Sequence, residues 1–173
     1  VGNGTLIVDE TSETTYGVTA FTINVTNPWV VFDNITVSGK GATDTRANIN
    51  EYEQYWFTFQ SQYDSSPVQS GSVTLNGSLS ATWIPSHSRW EYNTTKTTAQ
   101  KMSLYPSHVS WNVYGITSGP QPSEYVSIIL DGLKVDSYSI DMANAQVYVH
   151  IKYGYDSYPV NSGTVSLASR EAT

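Results

Sequence analysis

The sequence predicts an all-β protein assembled from β-sandwich domains, and three observations carry that prediction. Tyr55, Phe57 and Phe59 alternate with Trp56, Thr58 and Gln60, and Val147, Val149, Ile151 and Tyr153 alternate with Tyr148, His150 and Lys152. Such period-two text puts one face of a strand in a core and the other in solvent. The run Tyr63-Asp64-Ser65-Ser66-Pro67-Val68, with Gly71 and Val73-Thr74-Leu75 behind it, returns as Tyr155-Asp156-Ser157-Tyr158-Pro159-Val160, with Gly163 and Val165-Ser166-Leu167. Tyr16-Gly17-Val18-Thr19 and Val30 to Val37 likewise return as Tyr114-Gly115-Ile116-Thr117 and Ile128 to Val135. The shifts of roughly 92 and 98 residues suit an immunoglobulin-sized sandwich domain and are long for a solenoid unit.

Taken in order, Leu6-Ile7-Val8 is a short strand between glycines and Asp9-Glu10, with too little text around it for its own hairpin. Asn27-Pro28 is a turn signal. Trp29 to Val37 reads as one strong strand, bulged at Asp33-Asn34, where the apolar face switches from Val30 and Phe32 to Ile35 and Val37. Ser38 to Asn50 is a polar break, and the complete domain starts there. Pro67 and Gly71 reverse the chain before the strand Ser72 to Leu75. Ala81 to Trp83 and Arg89 to Tyr92 form a hairpin over Pro85-Ser86-His87-Ser88. Threonine-rich text disfavours a helix over Thr94 to Gln100. Met102 to Trp111, Tyr114 to Ile116 and Tyr125 to Val135 continue as strands, and Asp136 to Asp141 reads as a linker.

Composition narrows the function classes. The chain has 173 residues, a net charge of −7, thirteen Tyr and no Cys. No basic stripe exists to displace counterions from nucleic acid. No apolar run is long enough to span a bilayer. Five sequons, at Asn3, Asn24, Asn34, Asn76 and Asn93, point to an extracellular, surface-exposed glycoprotein. Asn76 and Asn93 lie near turns and are expected to accept glycan more readily than Asn34, which falls inside a strand.

The run from Pro67 to Gly77, followed by Trp83, Arg89-Trp90-Glu91-Tyr92, Tyr114 to Thr117 and Ile128 to Val135, resembles the immunoglobulin-like repeats of archaeal and bacterial cell-surface proteins. The resemblance implies an immunoglobulin-like β-sandwich and a role as stalk, adhesin, S-layer segment or filament subunit. It covers the middle fully and both ends in part: 1–40 is a partial piece holding late strands, 41–140 a complete domain, and 141–173 a partial piece holding early strands. The phase departs from ordinary tandem modules, which begin and end at domain boundaries.

Chemistry-bearing residues are sparse. His87, His108 and His150 fit no metal-ligand spacing, and no nucleophile-elbow text accompanies the serines. Asp9, Glu10, Asp44, Glu51 and Glu53 read as a solvated acidic surface, with a calcium site as the sharper alternative. Trp29, Trp83 and Trp90 read as core, whereas Trp56 falls on an outward face and is the best single interface candidate. Lys40 or Lys134 could form an isopeptide bond only if buried beside Asn or Asp. The expectation is therefore a non-enzymatic protein with no cofactor and no metal.

The two end pieces are complementary. The expected partner is a second copy of the chain: the tail of one subunit joins the head of the next by strand complementation, and a surface filament grows head to tail. The residues expected at that contact are Leu6, Ile7, Val8, Val18, Val30, Phe32, Ile35 and Val37 in the head, and Val147, Val149, Ile151, Val165 and Leu167 in the tail. The alternatives are an adhesin or carbohydrate-binding module that takes surface glycans, or a segment of a larger stalk or S-layer protein.

Overall fold

The computed structural model describes residues 2–5, 8–13, 18–23 and 29–163, with side chains from residue 33 onward. Among the described residues there is no helix. The strands are β1 (Gly2–Thr5), β2 (Val8–Glu13), β3 (Val18–Ile23), β4 (Trp29–Phe32), β5 (Ile35–Ala42), β6 (Arg46–Asn48), β7 (Glu53–Ser61) and β8 (Ser72–Leu75). They continue as β9 (Leu79–Ile84), β10 (Arg89–Thr94), β11 (Gln100–Leu104), β12 (Pro106–Trp111), β13 (Ile116–Ser118), β14 (Val126–Asp131), β15 (Leu133–Asp141) and β16 (Gln146–Tyr153). The described residues are all-β with multiple antiparallel sheets, consistent with a β-sandwich, and β6 runs parallel to its neighbour, β14.

Two compact units form. The first comprises Val1–Gly41, Tyr55–Tyr92 and Leu104–Val126; the second comprises Ala42–Gln54, Asn93–Ser103 and Ser127–Thr173. The first unit holds the seven-stranded sheet, in the order β13-β12-β8-β9-β10-β7-β5. Alternation decides which face is core: Tyr55, Phe57 and Phe59 of β7 are buried while Trp56, Thr58 and Gln60 are half-exposed. Ile35, Val73, Leu75, Trp90, Val109 and Trp111 are buried as well. Each such side chain removed from water contributes roughly 1.5–3 kcal/mol before conformational entropy is counted. The register expected for β7 is the observed one, and so is the hairpin of β9 and β10.

Backbone chemistry explains the turns. Asn76 and Gly77 both have positive φ, and the Ser78 N–H donates to the Leu75 carbonyl at 3.1 Å. Two left-handed central residues define a type I′ turn, for which Asn-Gly is the favoured pair. The expected bulge at Asp33-Asn34 is a break between two strands. There the Asp33 side chain accepts the Asn34 N–H at 2.7 Å, and the Asn34 side chain accepts the Ile35 N–H at 2.9 Å. Side-chain acceptors of this kind compete with the ladder for the backbone donors. Tyr105 likewise separates β11 from β12.

In the second unit, β11, β14 and β6 form one sheet and β15 and β16 another. The reading of Asp136 to Asp141 as a linker is corrected: these residues lie in β15, where Asp136 sits at a register shift and Ser137 to Asp141 pair with Gln146 to His150 of β16. Ser137, Ser139 and Asp141 stand on the polar face of the hairpin and leave only Tyr138 and Ile140 to mark its alternation.

The sequence repeat is a structural one. β2 pairs with β3 through Thr11↔Ala20, Ser12↔Thr19 and Glu13↔Val18. β12 pairs with β13 through Val109↔Ser118, Ser110↔Thr117 and Trp111↔Ile116, the same register about 98 positions on. β1 and β4 stand in the same relation to β11 and β14: Thr5 faces Trp29, and their counterparts Ser103 and Ser127 meet at 2.6 Å between hydroxyls. β5 and β7, neighbours in the first unit, recur as β15 and β16 in the second.

Candidate functional site

The hairpin β15–β16 is built so that opposite residues share a face. On one face stand the pairs Leu133↔Tyr153, Val135↔Ile151, Tyr138↔Val149 and Ile140↔Val147. On the other stand Lys134↔Lys152, Ser137↔His150, Ser139↔Tyr148 and Asp141↔Gln146. The apolar face is open: Leu133 and Val135 are each 61 % exposed, Tyr138 71 % and Val147 50 %. Val149 and Ile151 are half-buried. The corresponding positions of the first copy are covered, with Ile35 at 1 % and Tyr55, Phe57 and Phe59 at 2 % or less. The same strand pair thus has its apolar face covered in one unit and open to solvent in the other.

Each copy is anchored by one aspartate. Asp33 Oδ1 accepts the Asn34 N–H at 2.7 Å and the Tyr63 N–H at 3.0 Å. Asp131 Oδ1 accepts the Gly132 N–H at 2.8 Å and the Tyr155 N–H at 2.9 Å. The Gln62 N–H donates to the Asn34 carbonyl at 2.8 Å, and the Gly154 N–H to the Gly132 carbonyl at 2.7 Å. Ser65 and Ser157, with φ of 62° and 61°, reverse the two turns, and Val68 and Val160 each return an N–H at 2.9 Å to Phe59 and Ile151. Neither aspartate role was read from the sequence. The signal was the recurrence of Asp33 and Asp131 at the repeat spacing, next to Asn34 and Gly132.

The remaining expected residues fall as follows. Leu6, Ile7, Val165 and Leu167, and the sequon Asn24, lie outside the described residues. Val8, Val18, Val30 and Phe32 lie in β2, β3 and β4, and Asn3 in β1; for these the strand placement alone is described. Ile35 is buried in the first unit and Val37 half-buried beside it on β5, so Ile35 offers no open surface. Asn34, Asn76 and Asn93 are all exposed. Asn34 sits exposed in the break between β4 and β5, so its placement inside a strand, on which it ranked below Asn76 and Asn93, is corrected. Both side chains accept one backbone N–H, Asn34 from Ile35 at 2.9 Å and Asn76 from Tyr105 at 3.0 Å.

Trp56 does lie on the outward face, but flat across β5. A Cβ at Gly41 would come within 2.6 to 2.8 Å of its indole, and the Arg89 guanidinium lies 5.2 Å from its ring centroid. Lys40 binds Glu124 at 3.0 Å, and Lys134 Nζ is 3.4 Å from the Gly154 carbonyl. Both lysines are exposed, and an isopeptide bond needs a buried one. His87 contacts Glu91 at 2.7 Å. Among the described residues no cluster of His, Asp and Glu is arranged to hold a metal ion, and no helix is long and apolar enough to cross a membrane.

Glu53 is 3 % exposed, and its Oε2 has no hydrogen-bond partner among the described residues. Burial, followed by the charges of Asp44 and Glu51, pushes its carboxyl above the ordinary glutamate value. The chain matches no protein-family model, no curated protein and no solved structure.

Proposed function

We propose that this chain is a structural, non-enzymatic subunit of an extracellular surface filament, assembled head to tail by strand complementation of a split immunoglobulin-like domain. The observation that carries the reading is the open apolar face of β15–β16, set beside its covered counterpart in the first unit. Strands of the late type recur at the head: β1 to β4 repeat β11 to β14 in register. The occupant that fits the open face is therefore the β1–β4 segment of a second copy.

The pairing edges fit as well. β12 is flanked by β13 on one side and by β8 on the other. β2, its counterpart, pairs with β3 alone among the described residues. The sequence counterpart of β8 is Thr164 to Leu167, at the opposite end of the chain. A contact in which the tail of one copy supplies that strand to the head of the next is heterologous and need not close, so it propagates as a fibre. An interface resembling half a domain core buries on the order of 2,000 Å² or more.

Electron microscopy and light scattering of the purified chain test this. Fibres, or concentration-dependent growth in mass, are expected. A protein that stays monomeric at high micromolar concentration and binds glycan would support the adhesin reading; one that stays monomeric and belongs to a longer array of such domains would support the stalk or S-layer reading.

A further inference from the structure

The two copies of the turn differ in what meets the paired carboxylates. In the second, the Arg46 guanidinium of β6 bridges the carboxylates of Asp131 and Asp156 and lies 4.3 Å from the Tyr153 ring centroid. The first copy repeats both carboxylates as Asp33 and Asp64. They line a pocket with Ser61, Trp111, Tyr114 and Ile116. Ser61 stands where the second copy has Tyr153, and the aromatic surface comes instead from Trp111 and Tyr114, in edge contact at 4.7 Å between centroids.

Among the described residues of the same unit, no lysine or arginine is placed to fill this pocket. The first unit carries only Lys40 and Arg89 as lysine or arginine. Lys40 is engaged by Glu124, and Arg89 by Glu91 at 2.7 Å. Residues 1–39 contain neither lysine nor arginine. We propose that the Asp33–Asp64 pocket binds a guanidinium group presented from outside the first unit, as its second copy binds Arg46.

The chemistry resembles that of the occupied copy, with Ser61 Oγ on the Asp33 oxygen that corresponds to the one Arg46 meets on Asp131. Asp33 Oδ1 is committed to two backbone N–H groups and Oδ2 accepts from Ser61 Oγ. Asp64 Oδ1 accepts the Ser66 N–H at 2.9 Å. A carboxylate has about four lone-pair sites, so both groups retain acceptor capacity for a planar fork of N–H donors. Aromatic lining such as Trp111 and Tyr114 suits the delocalised guanidinium better than a compact ammonium.

Titration of the full chain with L-argininamide, followed by amide and indole NMR at low ionic strength, tests the site. Saturable shifts are expected at the Tyr63 and Ser66 amides and the Trp111 indole, with L-lysinamide weaker. The Tyr155 and Gly132 amides should not move, because Arg46 already fills that copy. Asp64→Asn, at an exposed turn, should weaken binding at least about tenfold, and unchanged Tyr155 and Gly132 signals would show that the fold persists. Shifts that do not saturate, that survive Asp64→Asn, or that appear equally in both copies would overturn the proposal. Argininamide that also dissolves self-association would place the guanidinium on a second copy, and association unchanged at saturation would place it on a different partner.

Discussion

Asp33 holds Tyr63 by a 3.0 Å bond from the Tyr63 N–H to Oδ1, tying the end of β4 to the turn that leaves β7. Burial raises the pKa of the Asp33 carboxyl, but the hydrogen bonds from Ser61, Asn34 and Tyr63 outweigh it and hold the group below its ordinary 3.8. A depressed carboxylate contributes stability that is present above the unfolded-state pKa and is lost as pH falls through the folded one. Acid unfolding is therefore expected to begin below about pH 4. Asp33→Ala should cost roughly 0.5–1.5 kcal/mol at pH 7, the net worth of hydrogen bonds whose donors water can partly satisfy, and should flatten the acid limb of a urea-denaturation series. A cost below about 0.5 kcal/mol would show that the aspartate is not the anchor.

Gly41 and Trp56 make a second, local test. A methyl group at Gly41 would sit within 2.6 to 2.8 Å of three indole atoms. Gly41→Ala should destabilise the protein by about 1–3 kcal/mol, the usual size of an overpacking defect. Most of that cost should vanish in the Trp56→Ala background. Equal costs in both backgrounds, read as a double-mutant cycle, would show that the indole is not what occupies that space.

Glu53 has the opposite linkage from Asp33. Its folded pKa is raised above the ordinary 4.5, first by burial and then by Asp44 and Glu51. The folded state holds its proton after the unfolded state has released it, so stability should fall as pH rises above about 4.5 and level off past the folded value. Glu53→Gln should be more stable than the wild type at pH 7 and should lack this slope. A wild-type profile flat between pH 4.5 and 7, with no gain in the variant, would contradict the assignment.

Much of this fold was legible because alternation and repetition are written in residue types. Phe57 and Phe59 declare a buried face whatever surrounds them, and Pro67 with Gly71 declares a turn. The strand over Asp136 to Asp141 was not legible, since its outward residues are Asp and Ser and only Tyr138 and Ile140 mark its inner period. β6 was equally hidden: Arg46-Ala47-Asn48 has no apolar pattern, and its place is set by parallel pairing with distant Ile129 to Asp131. Arg46 therefore gave no sign that it would bridge Asp131 and Asp156. A polar network depends on which turns are brought together, and the sequence order does not state that.

The open hairpin yields the test of assembly. Val135 and Ile140 lie on its apolar face and are 61 % and 59 % exposed, whereas Ser139 lies on the opposite face. Val135→Lys and Ile140→Lys place a charge where little is buried, so monomer stability should change by no more than about 0.5 kcal/mol. In a complemented sandwich the same lysines would have to be buried without partners, which interfaces do not tolerate. Fibre formation should then be lost in both variants and kept in Ser139→Lys. A head deletion should stop at residue 31, because Asp33 anchors the first turn and Ile35 is part of the first unit's core. A peptide spanning residues 1–32 should cap growing ends by occupying the hairpin face. Fibres that persist undiminished in the Val135→Lys, Ile140→Lys double variant would show that assembly uses another surface.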